Sequence, residues 1–183
     1  ACKAVYAGSI PASASKIYIY KNNMFKEKKI LAITLARGGS KSVPKKNIKQ
    51  ICGKPLIAYT IKEALKSSYI DDYIVSTDDP QIMEYCVNKS VDTPFVRPAY
   101  LSSDEATSVD ALIHAVNFCE SQDKVKYDYV IELPCVAPLR NSNDIDEAIK
   151  LILKKKCDSV IGVCNTGEKH PVRLKRLSKE KQI

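Results

Sequence analysis

Apolar and polar positions along this chain switch between two rhythms, and the switches mark its elements. Residues 30–36 (ILAITLA) form a short apolar run that ends at paired glycines, which predicts a strand buried on both faces. Pro55 suits a first helical turn and opens a helix predicted to run to about Ser67. Residues 73–77 (YIVST) predict a second strand. Asp78-Asp79-Pro80 then caps a helix through Asn88, because an aspartate oxygen accepts from free N-terminal amides. A third, weaker strand is predicted over 91–96. The helix predicted over 107–119 spaces Val109, Leu112, Ile113, Val116 and Phe118 for burial. Residues 129–133 (YVIEL) predict a strand, 134–140 a loop, and 144–154 a helix burying Ile145, Ala148, Ile149 and Ile152. A last strand is predicted over 158–163.

Strands alternating with helices argue for a mainly parallel sheet between helical layers. The expected fold class is α/β, a three-layer sandwich. Ligands of such sheets sit at the C-terminal strand ends. Three loops fall there: 37–49, 77–80 and 134–141. No internal repeat interrupts this order.

Composition narrows the class. With 183 residues, 45% hydrophobic and 27% charged, the chain suits one globular domain. No apolar run approaches the ~18 residues of a membrane helix, so no membrane partner is expected. Seven cysteines are scattered without a C-x-x-C pair. That pattern fits reduced thiols in a cytoplasmic protein better than a disulfide framework or a zinc site. Cys52 and Cys135 read as small apolar fillers. The net charge of +8 comes from basic residues spread along the chain, apart from clusters at 37–49 and 169–181. That spread argues against nucleic acid as a partner. Residues 1–23 hold three lysines, no acid and no clear period. They read as a non-native or disordered leader, with the true start at Met24 and the domain over 24–183. Pro11 and its polar neighbours break any apolar signal-peptide core.

The sharpest chemistry lies in Arg37-Gly38-Gly39-Ser40-Lys41-Ser42-Val43-Pro44-Lys45-Lys46-Asn47. Paired glycines let a backbone approach an anion closely, and Arg37, Lys41, Lys45 and Lys46 supply cations. A solvated basic loop is the plainer alternative. A P-loop is excluded, since Ser40 rather than glycine precedes Lys41. Asn47 is either a ligand contact or a turn cap. Asp78 and Asp79 are either helix caps or ligand contacts.

This loop, followed by Gly53-Lys54-Pro55-Leu56-Ile57-Ala58-Tyr59-Thr60, closely resembles the cytidylyltransferases that make CMP-sialic acids. Ser76-Thr77-Asp78-Asp79, Arg97-Pro98, Leu101-Ser102-Ser103-Asp104, Thr107-Ser108, Pro138-Leu139-Arg140 and His170-Pro171 follow in the family's order. The resemblance covers roughly residues 29–175. It implies a nucleotide-diphospho-sugar transferase fold of Rossmann-like type. The reaction implied is attack by a nine-carbon 2-keto sugar acid on the α-phosphorus of CTP, with loss of pyrophosphate.

In that scheme Arg37 and Lys46 grip the triphosphate and carry the catalysis. Gly38, Gly39, Ser40, Lys41, Asn47 and Asp78 complete the nucleotide site. Arg97, Arg140 and His170 are the implied sugar-binding residues. Arg97 could instead pair with a surface acid, and His170 could be a surface histidine. The implied cofactor is Mg²⁺, with Asp104 as a candidate ligand or, alternatively, a cap near Thr107. The main metal ligands, a homodimer contact and an arginine-rich segment are expected beyond Ile183, so the domain is read as incomplete at its C-terminus. The implied setting is cytoplasmic synthesis of lipopolysaccharide or capsule sugars.

One motif departs from the family. Where a Gln-Pro-Thr-Ser run is usual, this chain has Pro134-Cys135-Val136-Ala137. Losing an amide and two hydroxyls is expected to shift the sugar preference, toward legionaminic acid, pseudaminic acid or another relative rather than N-acetylneuraminic acid.

Overall fold

The computed structural model describes residues 3–6 and 28–163. In chain order the first elements are β1 (Lys3–Tyr6), β2 (Ile30–Leu35), β3 (Gln50–Ile51), β4 (Lys54–Pro55), α1 (Leu56–Ala64) and β5 (Asp72–Ser76). They are followed by α2 (Pro80–Val87), α3 (Ser108–Asp123), β6 (Tyr129–Glu132), α4 (Ser142–Lys155) and β7 (Ser159–Ile161). Five strands make one sheet in the order β5-β2-β6-β1-β7, and every pairing in it is parallel.

The period-two alternation of β2 feeds both faces of the sheet. Leu31 and Ile33, beside Val130 of β6, meet Ala115 and Cys119 of α3. Ile30 and Ala32, beside Ile131 and Leu133, meet Ile145, Ile149 and Ile152 of α4 and Ala64 of α1. α2 packs Ile82 and Cys86 against Val75, Ala36, Ile57 and Ile61. Helices therefore cover both faces, which is the three-layer α/β sandwich expected.

Four details depart from the expectation. β1 lies between β6 and β7, inside the stretch 1–23 that reads as a leader. The 91–96 segment forms only isolated parallel bridges, Ile74 to Asp92 and Thr77 to Val96. Pro94 lies between them and has no N–H to give a ladder. α3 buries Ala111, Ala115 and Cys119, while Val109 and Ile113 are exposed. Pro55 is the residue before α1 rather than in its first turn, and the helix ends at Ala64.

Cys52 is no filler. It is exposed at the tip of the β3–β4 hairpin, where Cys52 (φ 48°) and Gly53 (φ 76°) both take positive φ. Among the described residues, no helix is long and apolar enough to cross a membrane.

Candidate functional site

A cleft of about 440 Å³ opens at the C-terminal ends of β2 and β6, on the α3 side of the sheet. The loop after β2 lines it with Arg37, Ser40, Lys41, Ser42, Lys46 and Asn47. The segment before α3 contributes Ser103, Asp104 and Thr107. The remaining wall includes Leu35, Arg97, Glu132, Pro134, Cys135 and Val136.

The loop is held by bonds from neighbouring strand ends. Ala36 N–H donates to the Ser76 carbonyl at 3.0 Å, which prolongs the β2–β5 pairing by one residue. Gly38 N–H then donates to Asp78 Oδ1 at 2.9 Å. A Cβ on Gly38 would stand 2.8 Å from Asp79 Oδ2 and 3.0 Å from Asp79 Cβ, whereas one on Gly39 would meet nothing within 4 Å. Only Gly38 is required by close approach. Asn47 is buried and donates its Nδ2 to the Arg37 carbonyl at 3.0 Å, so it ties the loop's end to its start. Lys45, at φ 50°, reaches Gln81 Oε1 at 2.7 Å and is not among the cleft-lining cations.

The two adjacent aspartates divide their work. Asp79 caps α2, accepting from Gln81 N–H at 2.8 Å and Ile82 N–H at 3.4 Å. Asp78 does not cap the helix; it accepts from Gly38 N–H of the glycine loop.

Asp104 has a third partner set. Arg37 donates to the Ser103 carbonyl at 2.6 Å and to Asp104 Oδ1 at 2.9 Å. Lys41 Nζ approaches Asp104 Oδ2 at 2.5 Å. The Lys41 bond, aided by the charges of Lys41 and Arg37, holds the Asp104 carboxyl below the usual carboxylate range. Thr107, not Asp104, caps α3 by accepting from Asp110 N–H at 3.1 Å. Both Asp104 oxygens are committed to cations, and no group of three or more His, Cys, Asp or Glu among the described residues could hold a metal ion. Asp104 is therefore an internal partner of Arg37 and Lys41 in this structure, and the main metal ligands that the resemblance implies are expected outside the described residues.

Arg97 is buried in the cleft wall, with its Nε on Ser76 Oγ at 3.0 Å and an Nη on the Ser76 carbonyl. Burial lowers its pKa, and the charge of Asp78 offsets part of that. Among the described residues it pairs with no surface acid. Arg140 is also buried, but its Nη2 lies 3.3 Å from Thr60 Oγ1 of α1 and 3.4 Å from the Pro134 carbonyl. It braces the 134–140 loop from the α1 side and does not line the cleft. His170 lies outside the described residues.

Two functional candidates escape the sequence. Ser76 is fully buried and fixes Arg97. Glu132 is a buried carboxylate in the cleft whose Oε2 has no hydrogen-bond partner. Its signal was available, a single charge inside the apolar run YVIEL. Cys135 is a buried filler as expected, and burial pushes its thiol up to about 12.

A family model described as cytidylyltransferase matches residues 31–180. The chain is 41% identical over 128 residues to pseudaminic acid cytidylyltransferase of Campylobacter jejuni, covering 70% of this chain and 55% of that protein. It is 39% identical over 126 residues to CMP-N,N'-diacetyllegionaminic acid synthase of Legionella pneumophila, covering 67% and 53%. With N-acylneuraminate cytidylyltransferase of Streptococcus agalactiae it shares 35% over 154 residues, covering 83% of this chain and 36% of that one. The chain thus spans about half or less of the length of these curated relatives. Among solved structures, CMP:2-keto-3-deoxy-manno-octonic acid synthetase complexed with CTP matches at a TM-score of 0.59 and 23% identity, over 71% of this chain and 49% of that one. That match is a likeness of fold.

Proposed function

Because the chain belongs to the cytidylyltransferase family, we propose that it is the nucleotide-binding part of an enzyme that joins CTP to a nine-carbon 2-keto sugar acid. The products are the CMP-sugar and pyrophosphate. One observation carries this: Arg37, Lys41 and Lys46 line a single cleft at the end of β2, on a loop fixed by Asp78 and Asn47. Cations held in place beforehand neutralise a triphosphate and the charge that builds on departing pyrophosphate. The anomeric hydroxyl of the sugar acid attacks the α-phosphorus. Its new O–P bond forms as the bond to the β-phosphate oxygen breaks, and its proton passes to solvent.

Arg37, Ser40, Lys41 and Lys46 hold the phosphates in this scheme, once the triphosphate has displaced Asp104. Arg97, locked on Ser76, offers a fixed charge at the wall. The names of the relatives and the side chains of Pro134, Cys135 and Val136 at the cleft support a sugar acid of the pseudaminic or legionaminic kind. The 134–136 stretch offers few side-chain hydrogen-bonding groups and favours substrates that need few from it. A divalent ion enters the proposal only as a companion of the triphosphate, since Mg²⁺ commonly binds through substrate phosphates. Use of CTP and the free thiols among the described residues support a cytoplasmic setting. The family supports a homodimer of the longer protein.

Two measurements test this. Full-length protein with CTP and a panel of nine-carbon 2-keto acids is expected to release pyrophosphate, and no turnover with any of them overturns the proposal. Arg37→Ala is expected to weaken CTP binding by about 1.5–3 kcal/mol, the scale of a charge-assisted hydrogen bond. Unchanged calorimetric affinity removes Arg37 from the site.

A further inference from the structure

The cleft also holds a group that a triphosphate cannot use. Glu132 closes β6, with its backbone in register with Ile33 of β2. Two residues after Val130, its side chain faces α3 like that of Val130. It is 7% exposed, lines the cleft, and leaves Oε2 closed to solvent without a partner. Of the cleft's cations, Arg37 and Lys41 are engaged on Asp104 and Arg97 on Ser76, while Lys46 lines the same cleft without a bond to Glu132. A buried acceptor with no partner destabilises a fold, so its retention points to a ligand that satisfies it.

We propose that Glu132 is a specificity-determining acceptor for the substrate. It takes a hydrogen bond from a neutral N–H or O–H donor of the substrate. This rests on the cleft being a CTP site. Two parts of the substrates carry such a donor: the exocyclic amine of cytosine, and the hydroxyl or amide groups of the sugar acid. A carboxylate is a natural acceptor for the cytosine amine, and uracil presents a carbonyl at the same place.

The test compares full-length wild type with Glu132→Gln and Glu132→Ala. Calorimetry measures CTP and UTP affinity, and turnover measures KM for pseudaminic acid at saturating CTP. If the amine is the partner, both variants bind CTP about tenfold or more weakly, and the preference for CTP over UTP narrows. If the sugar acid supplies the donor, nucleotide affinity holds while the KM for pseudaminic acid rises about tenfold or more. Either result supports the assignment. Wild-type affinities and KM in both variants overturn it, and a lowered Tm with unchanged binding does so too, by showing a purely structural role. Failure of the wild type to bind CTP overturns the CTP site itself and this inference with it. CTP binding that ignores Glu132, with an unchanged KM, overturns the inference alone.

Discussion

Arg37 and Asp104 meet at 2.9 Å across the mouth of the cleft, and Lys41 takes the other oxygen of the same carboxylate. An arriving phosphate must therefore displace an anion already in place. Asp104→Asn keeps the shape and removes the charge, so pyrophosphate should bind this variant about twofold to fivefold more tightly, the scale of an exposed ion pair. The Lys41 bond holds the Asp104 carboxyl below its usual range, so it stays charged from about pH 5 to 8. The ratio of the two affinities should be flat there, because the titration of pyrophosphate itself cancels. It should narrow only as pH falls through the lowered carboxyl value. Calorimetry at several pH values checks both statements. An equal or weaker affinity in Asp104→Asn contradicts the displacement.

Asp78 and Asp79 separate into a binding effect and a stability effect. Asp79→Ala removes the cap of α2 and should lower unfolding free energy by about 1 kcal/mol in urea, with little change in CTP affinity. Asp78→Ala releases the Gly38 N–H and should weaken CTP binding roughly fivefold, with a smaller effect on the urea midpoint. The reverse pattern would exchange the two roles.

The same pair shows what a sequence can and cannot disclose. The glycine-rich loop was legible because glycines and cations after an apolar run have few other uses. The layers were legible because β2 is apolar on both faces. What each charge touches was not. Arg37 finds its carboxylate 67 residues away, and nothing local encodes that meeting. Arg140 follows a loop on the ligand side, yet its side chain turns back to Thr60. α3 hid its buried face because that face is Ala111, Ala115 and Cys119, small residues that an apolar pattern ranks below Val109 and Ile113.

Gly38 and Gly39 should respond differently to the same change. Gly38→Ala places a Cβ 2.8 Å from Asp79 Oδ2, which forces the loop and the α2 cap apart. A loss of about 1–3 kcal/mol in stability is expected, with weaker CTP binding. Gly39→Ala meets nothing within 4 Å and should stay within about 0.5 kcal/mol of wild type. Adding Asp79→Ala to Gly38→Ala should recover part of the loss, since the clashing carboxylate is gone. A double-mutant cycle from thermal unfolding reads that coupling, and strict additivity contradicts the contact.

Burial should divide the thiols by reactivity and by their pull on stability at high pH. Cys86, Cys119 and Cys135 are buried, and burial pushes their thiols up to about 11, 11 and 12, while Cys52 is exposed on its hairpin. Only a thiolate alkylates readily, so native protein treated with iodoacetamide at pH 8 should be modified at Cys52 and spared at these three. Peptide mass mapping resolves the sites. The sign for stability follows from the raised values. Each buried thiol contributes fully below the unfolded thiol value and loses that contribution as pH climbs through the folded value. Urea stability should therefore fall between pH 8 and about 10.5, with a smaller fall in Cys86→Ala, which has one such group fewer. Cys135 is the informative site because it lies in the cleft wall and is nonetheless buried. Its labelling at the rate of Cys52 would mean that the 134–137 loop opens readily, and the wall assigned to the sugar acid would not be fixed.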